Sequence, residues 1–226
     1  MEHWNRQRRT RRLLDRRYVM NQSEALAKLR SQYVAAFTTR DTATLLGVSV
    51  NAAAKLLERL ATVGLVTRIM RGRWVIPDKF NRLCLPELIA AQPAYVSLQS
   101  ALSYHGMIDQ IPSAVYGITC GRGGMFNTPL GRVSLHHVSS DFFAGYETPT
   151  EIGWLKIATP EKALVDILYL RMTSLGDFKG LPEVEWPKSF KWKVAQKFAH
   201  LTPSRARRTL ILSALEDLQA ASVNSQ

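Results

Sequence analysis

The stretch that most constrains the fold of this chain lies between Thr39 and Pro77, where helical periodicity is broken by single glycines and then gives way to alternation. Thr39 is placed to cap a short helix through Leu46, with Ala43 and Leu46 facing inward. Gly47-Val48-Ser49 reads as a tight turn. Ser49 starts a second helix that runs to Val63, and Gly64, free to take positive φ, stops it. Leu65 to Ile69 and Arg73 to Ile76 flank Met70-Arg71-Gly72 as a predicted β-hairpin, closed by Pro77. Upstream, residues 21 to 33 read as a helix with Ser23 as N-cap and Ala25, Leu26, Leu29 and Tyr33 along one stripe. Ala35 to Thr38 can add a small strand. This order predicts a winged helix-turn-helix over roughly residues 20 to 78.

Such a unit works when one helix braces another so that an exposed face enters the major groove of DNA. Val48, Ala53, Leu57 and Leu60 supply the apolar brace of the second helix. Its opposite side carries Ser49, Asn51, Ala52 and Lys55, with Arg59 one turn further. Asn bonds bidentately to adenine, Lys donates to guanine, and Ala touches a thymine methyl. Arg59 is placed for a phosphate. The hairpin tip, with Arg71 and Arg73, suits the sugar-phosphate backbone or the minor groove. Thr39 and Arg40 open the preceding helix, where free N–H groups hold phosphate. The competing reading is a small helical domain that recognises protein.

Charge favours DNA. The net charge of the chain is +12. Residues 1 to 80 hold 16 basic and 6 acidic side chains, whereas residues 81 to 226 hold 14 and 12, so a polyanion should meet the first third. Residues 1 to 20 form a basic arm in which Arg8, Arg9, Arg11 and Arg12 are either additional phosphate contacts or a solvated tail. Leu13 and Leu14 alone follow before Asp15, so no apolar region completes a secretory signal. No segment reaches the roughly 18 apolar residues of a membrane span. Cys84 and Cys120 stand apart, which suggests a reducing compartment without disulfides or zinc. The expectation is a cytoplasmic protein.

After a connector at 81 to 94, with a helix beginning near Pro86, the character changes at Tyr95, and residues 95 to 220 form the second predicted domain. A short helix is predicted from Leu98 to His105. Strands are expected at 114 to 120, 133 to 138 and 154 to 157. Thr159-Pro160-Glu161 opens a helix apolar nearly all round, and residues 174 to 190 read as mostly irregular. Two helices, from Lys191 to His200 and from Pro203 to Leu218, end the chain. The predicted class is therefore α+β: a winged helix-turn-helix followed by a mixed α/β domain ending in helices.

The second half offers little chemistry. His136 and His137 adjoin on a strand and point to opposite faces, so they do not share a metal. His105 ends a helix and reads as structural. Gly121-Arg122-Gly123-Gly124 lacks phosphate-loop spacing and reads as a cationic turn, with Arg122 a further possible DNA contact. Asp166 lies inside an apolar helix, four residues after Lys162. A structural ion pair or a bond to a nearby backbone donor is the plain account, and a toxin-facing or catalytic pocket the competing one. Arg205, Arg207 and Arg208 form a basic patch facing DNA, an acidic protein surface or water. No nucleophile–base pair or metal-ligand cluster is evident, so neither catalysis nor a cofactor is expected.

The segment from Phe37 to Pro77, with its Leu-Gly-Val-Ser turn, Leu-Leu-Glu-Arg-Leu helix and Arg-Gly-Arg-Trp-Val-Ile wing, resembles the N-terminal domain of AbiEi-type antitoxins of abortive-infection E toxin–antitoxin systems. In the second half Tyr95-Val96-Ser97-Leu98-Gln99-Ser100-Ala101-Leu102-Ser103-Tyr104-His105-Gly106, Gln110-Ile111-Pro112, Thr128-Pro129-Leu130-Gly131-Arg132 and Ala158-Thr159-Pro160-Glu161-Lys162-Ala163-Leu164-Val165-Asp166 follow in that family's order. The resemblance covers about residues 22 to 220; the basic arm is not a usual family feature. It implies an N-terminal domain that represses its own operon at double-stranded operator repeats, and a C-terminal domain that neutralises a cognate nucleotidyltransferase-like toxin. Direct toxin contact stays open. Operator repeats would place more than one copy on DNA, and with no dimerisation helix evident in the sequence a monomer in solution stays open. The alternative is a stand-alone regulator whose second half senses a ligand or mediates assembly.

Overall fold

The computed structural model describes residues 21–32, 36–152, 154–171 and 183–224. It is α+β, with eight α-helices and two sheets among the described residues. The chain divides into two compact units, one ending at Phe80 and the other beginning at Asn81. No helix among the described residues is long and apolar enough to cross a membrane.

In the first unit, α1 (Gln22–Gln32) is followed by β1 (Ala36–Thr38), α2 (Thr39–Leu46), α3 (Val50–Thr62), β2 (Thr67–Met70) and β3 (Arg73–Val75). The three strands form one antiparallel sheet in the order β1-β3-β2. The predicted hairpin is therefore widened by a third strand, which pairs Phe37 with Trp74. A bulge between Arg68 and Met70 interrupts β2. Leu29, Phe37, Leu46, Leu56, Leu57, Leu60, Trp74 and Ile76 close one core between helices and sheet.

Local hydrogen bonding fixes each helix end, and two caps differ from the expected ones. Asn21, not Ser23, opens α1: its carbonyl accepts from Ala25 N, and its side chain accepts from Ser23 N at 3.3 Å. Thr38, not Thr39, caps α2. Its hydroxyl accepts from Asp41 N at 3.1 Å while the Asp41 carboxylate accepts from Thr38 N at 2.8 Å, a reciprocal pair that satisfies two otherwise orphan donors. A Thr-Thr pair hides which hydroxyl does this; the acidic residue three places after Thr38 decides it. Ser49 caps α3 as expected, accepting from Ala52 N at 3.2 Å. Gly47 and Gly64 take φ of 64° and 74°, and the residues around them return N–H groups to the last carbonyls: Val48 to Ala43, Leu65 to Leu60. Only a residue without Cβ adopts this conformation cheaply.

The second unit runs α4 (Leu85–Ile89), β4 (Ala94–Val96), α5 (Leu98–Tyr104), β5 (Ala114–Thr119), β6 (Gly124–Thr128), β7 (Gly131–His137), β8 (Tyr146–Glu147), β9 (Ile157–Ala158), α6 (Pro160–Arg171), α7 (Trp192–His200) and α8 (Arg205–Asn224). Its mixed sheet has the order β6-β7-β5-β4-β9-β8, with β5–β7 and β4–β9 parallel. α4 packs on β4, β5 and β7; α5 packs on β5 and on α6, which packs in turn on α7 and α8.

Three strands here were not expected, and each lacks the alternation that announces a strand. β4 is buried at all of Ala94, Tyr95 and Val96. β6 begins at Gly124 within the stretch that reads as a turn, and β8 is two residues long. The expected strand at 154 to 157 shrinks to Ile157–Ala158. The connector read at 81 to 94 is folded, with Leu85, Pro86 and Ile89 buried.

Candidate nucleic-acid interface

The period of α3 sets a buried apolar stripe against an exposed face, on which Val50 is also exposed. Ala53, Leu56, Leu57 and Leu60 are buried, while Ser49, Asn51, Ala52, Lys55 and Arg59 are exposed. Arg59 folds back, its Nε donating to the Lys55 carbonyl at 3.3 Å. One helix face thus offers an amide, an ammonium, a guanidinium and a methyl group within three turns, a set able to meet base edges and phosphates.

The β2–β3 turn exposes Arg71, and Arg73 sits half-buried opposite Thr38 and Met70. Arg68, one strand earlier, is engaged with Glu58 of α3 at 3.0 Å, and its guanidinium carbon lies 5.7 Å from the Trp74 ring centroid. Periodicity does not flag Arg68, because its bonding partner is ten residues away on another element.

The start of α2 departs from the expected phosphate site. The Thr39 N–H donates to the Gly72 carbonyl at 3.1 Å, and the Thr39 hydroxyl accepts from Trp74 Nε1 at 2.9 Å. Asp41 places a carboxylate on the same helix end. Thr39 therefore latches α2 to the hairpin. Arg40 is exposed and remains the cation of this corner. Elsewhere in the unit Arg30 grips Asp78 (Nη1 to Oδ1, 3.0 Å), and Lys79 donates to the Arg30 carbonyl at 2.9 Å, tying α1 to the segment after β3. That hydrogen bond to Arg30 holds the Asp78 carboxyl below the usual carboxylate range.

Of the supplementary cations, Arg8, Arg9, Arg11 and Arg12 lie outside the described residues. Arg122 and Arg205 are both exposed, and both lie in the second unit. Arg207 stacks its guanidinium 4.6 Å from the Tyr169 centroid, and Arg208 donates twice to the Thr202 carbonyl, at 3.1 and 2.8 Å. These two arginines fasten α8 to its own unit.

The second unit also encloses an ion pair. Lys162 Nζ pairs with Asp166 Oδ1, both fully buried on α6. Asp166 Oδ2 accepts from Ser97 Oγ at 2.6 Å and from the Tyr95 hydroxyl at 3.1 Å, and Lys162 Nζ lies 3.6 Å from the Phe142 centroid. Burial pushes the Asp166 carboxyl up and the Lys162 ammonium down, and burial together with Asp166 raises Tyr95 well above the ordinary phenol range. Leu98, next to Ser97, holds φ at 56°, the one non-glycine in the left-handed region among the described residues. A Cβ on Gly145 would sit 2.6 Å from Phe198 Cζ and 3.0 Å from Lys162 Cγ, so glycine makes room for the lysine stem. Every oxygen of the carboxylate is satisfied, and Ser97 spends its hydrogen on that carboxylate. The arrangement is a structural lock.

His105 Nε2 bonds the Ala158 carbonyl at 2.8 Å, His136 is buried against Ser134 Oγ at 3.0 Å, and His137 is exposed with Nδ1 2.9 Å from the Gly121 carbonyl. The two neighbouring histidines do point apart. Among the described residues no three His, Cys, Asp or Glu side chains gather into a metal site. Set beside known protein-family models and curated proteins, the chain matches none.

Proposed function

We propose that the first unit is a winged helix-turn-helix that binds duplex DNA, with α3 in the major groove and the β2–β3 turn as the wing. The observation that carries this reading is the α3 face, where Ser49, Asn51, Ala52, Lys55 and Arg59 are all exposed while Ala53, Leu56, Leu57 and Leu60 are buried on the other side. The exposed Arg71 of the β2–β3 turn and the basic excess of residues 1 to 80 support it. Asn51 and Lys55 read base edges; Arg40, Arg59, Arg71 and Arg73 hold the backbone.

We further propose that the chain is an antitoxin that represses its own operon and neutralises a cognate nucleotidyltransferase-like toxin through its second unit. This part rests on the motifs from Tyr95 to Gly106, Thr128 to Arg132 and Ala158 to Asp166. Its test is cell survival when the adjacent downstream gene is induced with this protein, without it, or with a version truncated after residue 80. Rescue by the full chain alone supports the reading. A harmless neighbour, or equal rescue by the truncated form, removes the antitoxin role and leaves a DNA-binding regulator. Gel-shift titration with promoter duplex tests the DNA reading separately.

A further inference from the structure

The modest net charge of the second half conceals a local run. Residues 186 to 215 contain seven Lys or Arg and no Asp or Glu. At its start three aromatic rings meet: Trp186 and Trp192 centroids are 4.7 Å apart, Trp186 and Phe190 5.0 Å, Phe190 and Trp192 4.9 Å. All three are only partly buried, although a cluster of this size normally retreats into a core. Lys188, Lys193 and Lys197 are exposed around them, and none of the three has a carboxylate partner among the described residues. The platform is rigidly seated. Glu161 of α6 accepts from Lys191 N at 2.9 Å, and Ala195 and Ala199 bury the inner face of α7.

From this juxtaposition we propose that the Trp186–Phe190–Trp192 cluster with its lysines is a binding platform for single-stranded RNA. Partly exposed rings interleaved with unneutralised ammonium groups match a strand whose bases are unstacked and whose phosphates lie a few ångströms away. A duplex hides its base faces and leaves the rings unused. An anionic membrane would need a helix with a free apolar face, whereas the inner face of α7 is already committed to its own unit. RNA is the nucleic acid that ordinarily presents unstacked bases, in loops and ends. Ser189 and Gln196, beside Phe190 and one turn after Trp192, offer polar groups for a 2′-hydroxyl. This site is independent of the duplex-binding face of α3.

The test uses the full chain and fluorescence anisotropy of a labelled oligouridylate of roughly a dozen nucleotides. The expected result is saturable binding that quenches tryptophan fluorescence and that survives Asn51→Ala with Lys55→Ala. Lys193→Gln with Lys197→Gln, which leaves the rings packed, should reduce affinity roughly tenfold and lower the salt slope by about 0.7 for each phosphate no longer neutralised. Trp192→Leu should cost roughly tenfold with a shallow change in salt slope. Binding unaffected by either variant, or abolished by Asn51→Ala with Lys55→Ala, overturns the proposal. So does oligothymidylate bound as tightly as the RNA, or preferential binding to phosphatidylglycerol vesicles or to an acidic protein.

Discussion

Helices α3 and α6 use the same backbone to opposite ends. α3 buries four residues on one stripe and leaves its polar side chains in water. α6 buries every residue from Glu161 to Leu170, including three acidic or basic side chains, Glu161, Lys162 and Asp166. On α3 a charged side chain is free to meet a partner, and its removal leaves the fold intact. On α6 each charged side chain must be satisfied inside the protein, because an unpaired buried charge is far costlier than an exposed one. Asp166 meets this demand with Lys162, Ser97 and Tyr95, whereas Asn51 and Lys55 form no such enclosure. Position on an element says little about role until burial is known.

The sharpest way to break this contrast is to unpair α6. Asp166→Ala should destabilise the second unit by about 3–5 kcal/mol, because Lys162 is left charged and enclosed. Lys162→Met with Asp166→Leu should recover much of that loss. Urea unfolding followed by circular dichroism measures both. If Asp166→Ala unfolds like the parent chain, the pair is not the lock described above.

A second buried group gives a pH signature. Burial, aided by the negative charge of Glu87, pushes the Cys84 thiol up from 9.0 to about 12. The unfolded chain releases this proton first. The contribution is therefore fully present below about pH 9 and is lost as pH rises toward 12, amounting to roughly 4 kcal/mol if Cys84 acts alone. Cys84→Ala should flatten that part of the alkaline stability profile. A profile that keeps its slope assigns the effect to other groups.

On the exposed side the effects fall on binding. Asn51→Ala with Lys55→Ala should relax base preference, at about 1–3 kcal/mol of discrimination for each base edge left unread, with the melting temperature nearly unchanged. Competition binding with altered duplexes reads this out, and an intact preference would move the reading face away from α3. Smaller still, Arg71→Ala with Arg73→Ala should weaken all duplexes alike and reduce the salt slope by about 1 for each phosphate no longer neutralised. An unchanged slope takes the turn out of the interface. Arg73 is half-buried, so the thermal stability of this variant should be measured alongside.

Much of the first unit can be read without coordinates. The stripe of Ala53, Leu57 and Leu60, the Ser49 cap and the Gly64 stop are local, set by residues within one or two helical turns. Periodicity alone therefore places Ser49, Asn51, Ala52, Lys55 and Arg59 on the outer face. Thr39 is misread for the same reason in reverse. Its bond to Trp74 spans 35 residues, and nothing near Thr39 in the chain announces it. In the second unit β4 carries no alternation because both its faces are covered, while β6 and β8 lie at the two edges of the sheet.

By itself the sequence determined the α+β class, the α2–turn–α3 order, the outward face of α3, and the placing of Lys162 and Asp166 on one helix face four residues apart. These follow from short-range sterics and helical spacing, which act whatever the rest of the chain does. Only the tertiary structure decided that Ser97 and Tyr95, 69 and 71 residues before Asp166, complete its enclosure. It likewise withdrew Arg207 and Arg208 to Tyr169 and Thr202, and gathered Trp186, Phe190 and Trp192 beside exposed lysines. The reason is common to all of these: whether a polar or aromatic side chain is buried, and against what, is set by long-range packing, and no local pattern encodes it.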